Sequence, residues 1–171
     1  MKRLAILRHA KSSWDEPGLD DFNRPLNDRG WKAARRMGRV LRKRGVKFDL
    51  VLSSTAARTR ETIDGIQEHF DFDAPIEFRP ELYLASEEAL LETIRGLDEK
   101  VKAPLIVGHN PGLELLVTDL SRDDDRGLRR RVAGKFPTGA LVILELPTHH
   151  WSKVKPGEGQ VVELMLPREL D

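Results

Sequence analysis

The sequence predicts an α/β fold of three layers, α/β/α, with a largely parallel sheet of about six strands packed between helices. Two observations carry this. Apolar runs alternate with amphipathic helical segments almost to the end of the chain, the pattern of a sheet covered on both faces. The residues with most chemical capacity also stand directly behind apolar runs: Arg8-His9-Ala10 follows Leu4 to Leu7, and His109-Asn110-Pro111 follows Leu105 to Gly108. Parallel strands bring such positions to one edge of a sheet, where ligands bind, however far apart they are in sequence. With 171 residues the chain suits one compact domain with a real core and is short for two, so residues 1–171 read as a single domain.

Lys2 to Leu7 is the first predicted strand. Ser12 to Gly30 is a polar connection punctuated by Pro17-Gly18, Pro25 and Gly30; loops of that length are usually functional. Trp31 to Arg44 reads as a helix whose buried stripe is Ala33, Met37, Val40 and Leu41, with Gly45 as its stop. Phe48 to Leu52 is a strand, and Ala56 to Phe70 a helix with Thr59, Ile63, Ile66 and Phe70 on one face, capped by Ser54 or Thr55. Ile76 to Phe78 is a short strand, Ser86 to Leu97 a helix, and Pro104 to Val107 a buried strand. Asn110 caps and Pro111 opens a helix that runs to Leu120. Ser121 to Lys135 mixes Asp123-Asp124-Asp125 with Arg129-Arg130-Arg131 and reads as a solvated excursion. Ala140 to Leu144 and Gln160 to Leu166 are the final strands, an antiparallel pair around residues 147–159.

Charge and composition exclude several classes of function. The 29 basic and 28 acidic residues nearly cancel, so no global field draws the chain to nucleic acid or to an anionic membrane, and any attraction for anions is local. There is no cysteine, which removes disulfides, thiolate nucleophiles and thiolate metal sites and makes the cytoplasm the default setting. Arg8, His9 and Lys11 interrupt the first apolar run before a signal sequence forms, and no segment has the length of a membrane span.

Ser53 to Thr59 is a third strand-to-helix junction, able to deliver Arg58 to the edge that carries Arg8, His9 and His109. One imidazole to attack, one to stabilise and two guanidiniums to hold phosphate make a plausible phosphoryl-transfer site. A phosphoryl group in flight spreads negative charge over three oxygens, so the site needs preplaced donors and little else. Arginine supplies a permanently charged planar fork that lysine does not reproduce. The attacking histidine must be unprotonated at its reacting nitrogen, with an acceptor fixing the other. Neither histidine has a helical i, i+4 partner or a neighbouring carboxylate cluster, so no metal and no other cofactor is expected.

Leu7-Arg8-His9-Ala10, Ser53-Ser54-Thr55-Ala56-Ala57-Arg58-Thr59-Arg60-Glu61-Thr62 and Val107-Gly108-His109-Asn110-Pro111 resemble the three motifs of the histidine phosphatase superfamily, which includes the phosphoglycerate mutases. Arg79-Pro80-Glu81-Leu82, the Lys135 to Gly139 stretch and the lack of an inserted lid look most like its small phosphohistidine phosphatases of the SixA type. The resemblance runs in order over nearly the whole chain. It implies a phosphoglycerate mutase-like fold, with His9 as the nucleophile that becomes phosphorylated and Arg8, Arg58 and His109 around the phosphoryl group. It implies as partner a protein carrying phosphohistidine, or else a small phosphate ester.

Lys11, Ser12, Asn110 and Glu81 are further candidate substrate contacts, although Lys11 and Ser12 equally suit the start of a loop. His69, His149, His150, Arg60 and Glu61 read as surface residues. Relatives that act on oxygen esters carry a glutamate acid in a Leu-x-Glu context; here Leu82-Tyr83-Leu84 fills that context and Leu84 stands in the acid's place, with Glu81 and Glu87 nearby in sequence. A positioned acid is worth about 10²–10⁴-fold for a basic alkoxide leaving group. A phosphorylated imidazole leaves as a neutral ring and needs it less. Three readings follow: a protein phosphohistidine phosphatase, a small-molecule phosphomonoesterase or phosphomutase, and an idle module that binds phosphorylated partners.

Overall fold

The computed structural model describes residues 1–170. Among the described residues six strands form one sheet: β1 (Lys2–Arg8), β2 (Leu50–Ser53), β3 (Ile76–Phe78), β4 (Pro104–Gly108), β5 (Leu141–Leu146) and β6 (Gln160–Met165), in the order β3-β2-β4-β1-β5-β6. β3, β2, β4 and β1 are mutually parallel, whereas β5 runs against both β1 and β6. The three-layer, largely parallel arrangement is the one expected from the alternation of runs, including the antiparallel final pair.

Side chains alternate across the sheet and divide the core in two. Ala5, Leu7, Val51, Leu105 and Val107 meet α1 (Asp28–Arg44) and α2 (Ala57–Gln67), through Met37, Leu41, Ile63 and Ile66. Leu4, Ile6, Leu52 and Ile106 meet the opposite layer of α3 (Glu87–Arg95), α4 (Gly112–Leu120) and α5 (Leu128–Gly134), through Leu90, Ile94, Leu116 and Val132. Strands β2 and β4 are buried along their whole length, which explains their unbroken apolar sequences.

Four local expectations change. Helix α1 begins three residues before Trp31, because Asn27 Oδ1 accepts the Gly30 amide and caps it; Ala34 rather than Ala33 is buried in its stripe. Neither Ser54 nor Thr55 is the N-cap of α2; that position is Ala56, whose amide donates to Ser54 Oγ. Pro111 rather than Asn110 is the N-cap of α4, and Asn110 Oδ1 instead accepts the Glu114 amide one turn in. Residues 121–135 are not merely a solvated excursion: Asp124 accepts the Leu128 and Arg129 amides and starts α5, which buries Leu128 and Val132. The mixed charges hid two apolar residues four apart, one helical turn.

The 12–30 segment folds back on itself through an antiparallel bridge between Ser12 and Leu26 and a bond from the Asn27 amide to Lys11 O. Glu61 is not simply solvated; its Oε1 accepts the Leu26 amide at 2.8 Å and ties this segment to α2. A methyl group on Gly30 would lie 2.1 Å from Lys11 O, so the first turn of α1 and the loop after β1 touch backbone to backbone. In an exposed helix, replacing glycine by alanine gains about 1 kcal/mol. Here the clash is with backbone, and overpacking of about 1–3 kcal/mol should exceed that gain. Gly30→Ala is therefore expected to lower stability in urea denaturation, and a stabilised variant would show that the contact is loose.

Candidate functional site

The register of β1 with β4 pairs Arg8 with Gly108, so the next residue on each strand, His9 and His109, emerges at the same edge. Their ring centroids are 5.3 Å apart and both are buried. Strand β2 ends one step away, with Ser53 paired to Val107, and sends the chain into α2, whose first turn carries Arg58. Arg8, His9, Arg58 and His109 thus line one cleft of about 480 Å³, together with Lys11, Ser12 and Asn110.

His9 Nδ1 lies 2.7 Å from Ala10 O, and a carbonyl can only accept, so Nδ1 carries the ring proton and Nε2 keeps its lone pair. Burial, reinforced by Arg58 and Arg8, lowers the His9 pKa to about 4 against the opposing bond to Ala10, so the ring is neutral at pH 7. Burial and then Arg58 likewise bring His109 down to about 3. His109 Nε2 is 2.8 Å from Ser54 Oγ, which also takes the Ala56 amide. The backbone around His9 is fixed on both sides: its amide donates to Gly108 O, and the Gly139 amide donates to Arg8 O and His9 O.

Arg58 is buried and donates through both terminal nitrogens to Asp21, to its carbonyl at 2.7 Å and its Oδ2 at 3.0 Å. Arg8 Nη1 donates to Phe136 O at 3.1 Å. Among the described residues Arg8 Nε, Arg58 Nε and His109 Nδ1 are buried without a hydrogen-bond partner. Three such polar atoms on residues that line one cleft are expensive to leave unpaired. No group of three or more His, Cys, Asp or Glu side chains able to hold a metal ion occurs among the described residues.

Three residues lining the cleft, Trp14, Asp21 and Arg24, were not singled out from the sequence. Arg24 is buried in the cleft wall, donates to Ser12 Oγ and to Asp21 Oδ1, and lies 3.6 Å from the Trp14 ring centre. Asp21 receives Arg24, Arg58 and the Tyr83 hydroxyl; partial burial works against its ionisation, but these hydrogen bonds prevail and hold its pKa down at about 2. Their spacing, an acid three residues before an arginine inside a long loop, was the available signal. Glu81 does not belong with the substrate contacts: it is exposed on a short turn (Pro80–Leu82), 3.8 Å from Arg79, and does not line the cleft. Glu87 is also outside the cleft, where a hydrogen bond with Asp119 raises it to about 7. Leu84 does line the cleft, exposed and in the left-handed region at φ 51°.

Comparison with known proteins agrees with this geometry. The family model for the histidine phosphatase superfamily (branch 1) matches residues 4–83. A protein from Agrobacterium tumefaciens assigned as the phosphohistidine phosphatase SixA is 31% identical, with a TM-score of 0.79 over 97% of this chain and 98% of its own. One with the same assignment from Nakamurella multipartitia is 25% identical, with a TM-score of 0.83 over 97% and 96%. An uncharacterised protein of Mycobacterium tuberculosis is 34% identical over 165 residues, 95% of this chain and 100% of its own. The chain belongs to the histidine phosphatase superfamily, and the phosphoglycerate mutase-like fold implied by its motifs is the one observed. No described helix is long and apolar enough to cross a membrane.

The depressed histidine values set a sign for stability against pH. An unfolded histidine titrates near 6.5, whereas His9 and His109 stay neutral in the fold to about 4 and 3. As pH falls below about 6.5, the unfolded chain takes up protons that the native chain refuses, so stability falls, and the loss is complete only below the folded values. Urea denaturation at a series of pH values should show this decline between about pH 6.5 and 4, with a shallower slope for His9→Asn. Identical slopes would mean that His9 titrates alike in both states.

Proposed function

We propose that the protein is a metal-independent phosphatase of phosphohistidine in proteins, acting through a phosphorylated His9. The observation that carries this reading is that, among the described residues lining the cleft, no carboxylic acid or imidazolium stands ready to protonate an alkoxide at neutral pH. Asp21 is the carboxylate that lines the cleft and is ionised down to about pH 2, His109 is neutral, and Leu84 stands where the resemblance places the acid. The two SixA assignments among the relatives agree with it.

In this reading His9 Nε2 attacks phosphorus as the bond from phosphorus to the substrate imidazole breaks. One P–N bond replaces another of the same kind, and the departing ring takes a proton from solvent. Arg8 and Arg58 balance the charge on the transferring oxygens, beside the neutral ring of His109. Ser54 Oγ, already accepting the Ala56 amide, can donate its own proton to His109 Nε2. That arrangement leaves the ring proton on Nδ1, the buried atom without a partner. Lys11, Ser12 and Asn110 complete the wall as substrate contacts. Water then attacks phospho-His9, the new P–N bond breaks, and phosphate leaves with His9 restored.

Labelled substrate quenched in alkali should leave label on the wild-type chain, and His9→Ala should abolish label and turnover together. Activity should survive exhaustive EDTA. Turnover of phosphohistidine and phosphoserine peptides of one sequence decides the substrate: kcat/KM should favour phosphohistidine by at least about 10²-fold, the lower range of what a general acid supplies. Preference for phosphoserine or for 3-phosphoglycerate would transfer the protein to the phosphomonoesterases.

Arg58→Lys should cost about 1.5–3 kcal/mol in kcat/KM, the scale of a hydrogen bond to a charged group, because a single ammonium cannot replace the fork. Unchanged kcat/KM would remove Arg58 from the site.

A further inference from the structure

The catalytic cleft opens on one side into a groove of about 410 Å³ between α1 and the C-terminal segment, with Lys11 and Thr138 common to both. Arg29, Lys32, Arg36 and Arg168 line this groove over a floor of Ala33 and Pro167. Lys135 lines the cleft and a second hollow of about 400 Å³ that shares Arg168 and Pro167 with the groove. Five of these six cations are exposed, and Arg36 reaches only a backbone oxygen, Pro167 O, at 3.4 Å. Among the described residues none of the six has a carboxylate at ion-pair distance, whereas Arg35 and Arg44 of the same helix pair with Glu68 and Glu163.

Helix α1 pays for this arrangement in stability. Arg29 sits in its first turn, where the macrodipole favours an anion, and Lys32 and Arg36 are like charges four apart. Asp28, the acid beside Arg29, lines neither groove nor cleft. With a net charge of +1 for the whole chain, a bare basic track at the mouth of the site is a local feature. Arg29, Lys32 and Arg36 share one helix face and span about 10 Å along the axis, which a second phosphate on a small ester does not cover and about three residues of extended peptide do.

We infer that this groove docks an acidic segment of the phosphorylated protein next to its phosphohistidine. The inference rests on the phosphohistidine reading and adds the charge of the substrate's surroundings. Complementary charge raises the rate of encounter and fixes register more than it tightens a final complex, so the effect belongs in kcat/KM at low substrate.

The probes are three phosphohistidine peptides that differ only in their flanks, acidic, neutral or basic. At low ionic strength the wild-type protein should prefer the acidic peptide over the neutral one by about tenfold, a preference that high salt removes. Lys32→Glu combined with Arg168→Glu should abolish that preference and favour the basic peptide, while turnover of the neutral peptide stays unchanged. The reversal excludes a folding defect as the cause. Equal kcat/KM for acidic and neutral peptides in the wild type would overturn the docking inference alone. In that case retention on phosphatidylserine vesicles or on single-stranded DNA would give the groove to another polyanion. Failure to hydrolyse any of the peptides would sink the phosphohistidine reading and this inference with it.

Discussion

The parallel pairing of β1 with β4 is the constraint on which the site depends. Arg8 faces Gly108 across the ladder, and the His9 amide continues it to Gly108 O, so the two histidines leave neighbouring strands at the same height. A slip of one residue would exchange Leu4 and Ile6 with Ala5 and Leu7 between the two core layers, which neither layer could absorb. Packing of the strand interiors therefore fixes the spacing of the imidazoles. The Gly139 amide, shared by Arg8 O and His9 O, closes the structure from the β5 side.

That spacing has an electrostatic consequence. Two imidazoles 5.3 Å apart, buried beside Arg8 and Arg58, cannot also be charged at neutral pH, and burial is the larger reason for both. In the proposed reaction His9 needs no base to deprotonate it, because the bond to Ala10 O leaves Nε2 with its lone pair. Against partial burial, hydrogen bonds from the Tyr83 hydroxyl, Arg58 and Arg24 keep Asp21 ionised and so make it a poor acid. Arg58 acts in the same direction on both groups, disfavouring protonation of His9 and of Asp21.

The sheet and most of the helices were legible because period and burial agree in them: unbroken apolar runs became buried strands, and Gly45 ended α1 as its sequence promised. Arg8, His9, Arg58 and His109 were legible as candidates because each follows a strand, and the fold gathers them. Other features depended on contacts that sequence does not encode locally. Helix α5 is short and its charged faces dominate its sequence, so Leu128 and Val132 gave too little signal. Glu61 looked like any surface acid until Leu26 was brought beside it by a fold-back of the loop. Arg24 and Asp21 lie in a stretch without period, where only tertiary structure distinguishes a wall of the site from a tether on the surface.

The 12–30 loop accordingly separates two tasks. The sheet edge holds His9 and His109 on rigid elements, while the loop supplies Ser12, Trp14, Asp21 and Arg24 to the lining of the cleft beside Lys11. The loop is nonetheless fastened to the chemistry, because Arg58 donates both to the Asp21 carbonyl and to its carboxylate. In the proposed reaction a phosphoryl oxygen that engages a terminal nitrogen of Arg58 would compete with that anchor, and Asp21 would retain Arg24 and Tyr83 as partners. On that proposal substrate affinity would be a difference between two sets of charge-assisted bonds to one guanidinium, and the loop's hold on Arg58 would enter it directly.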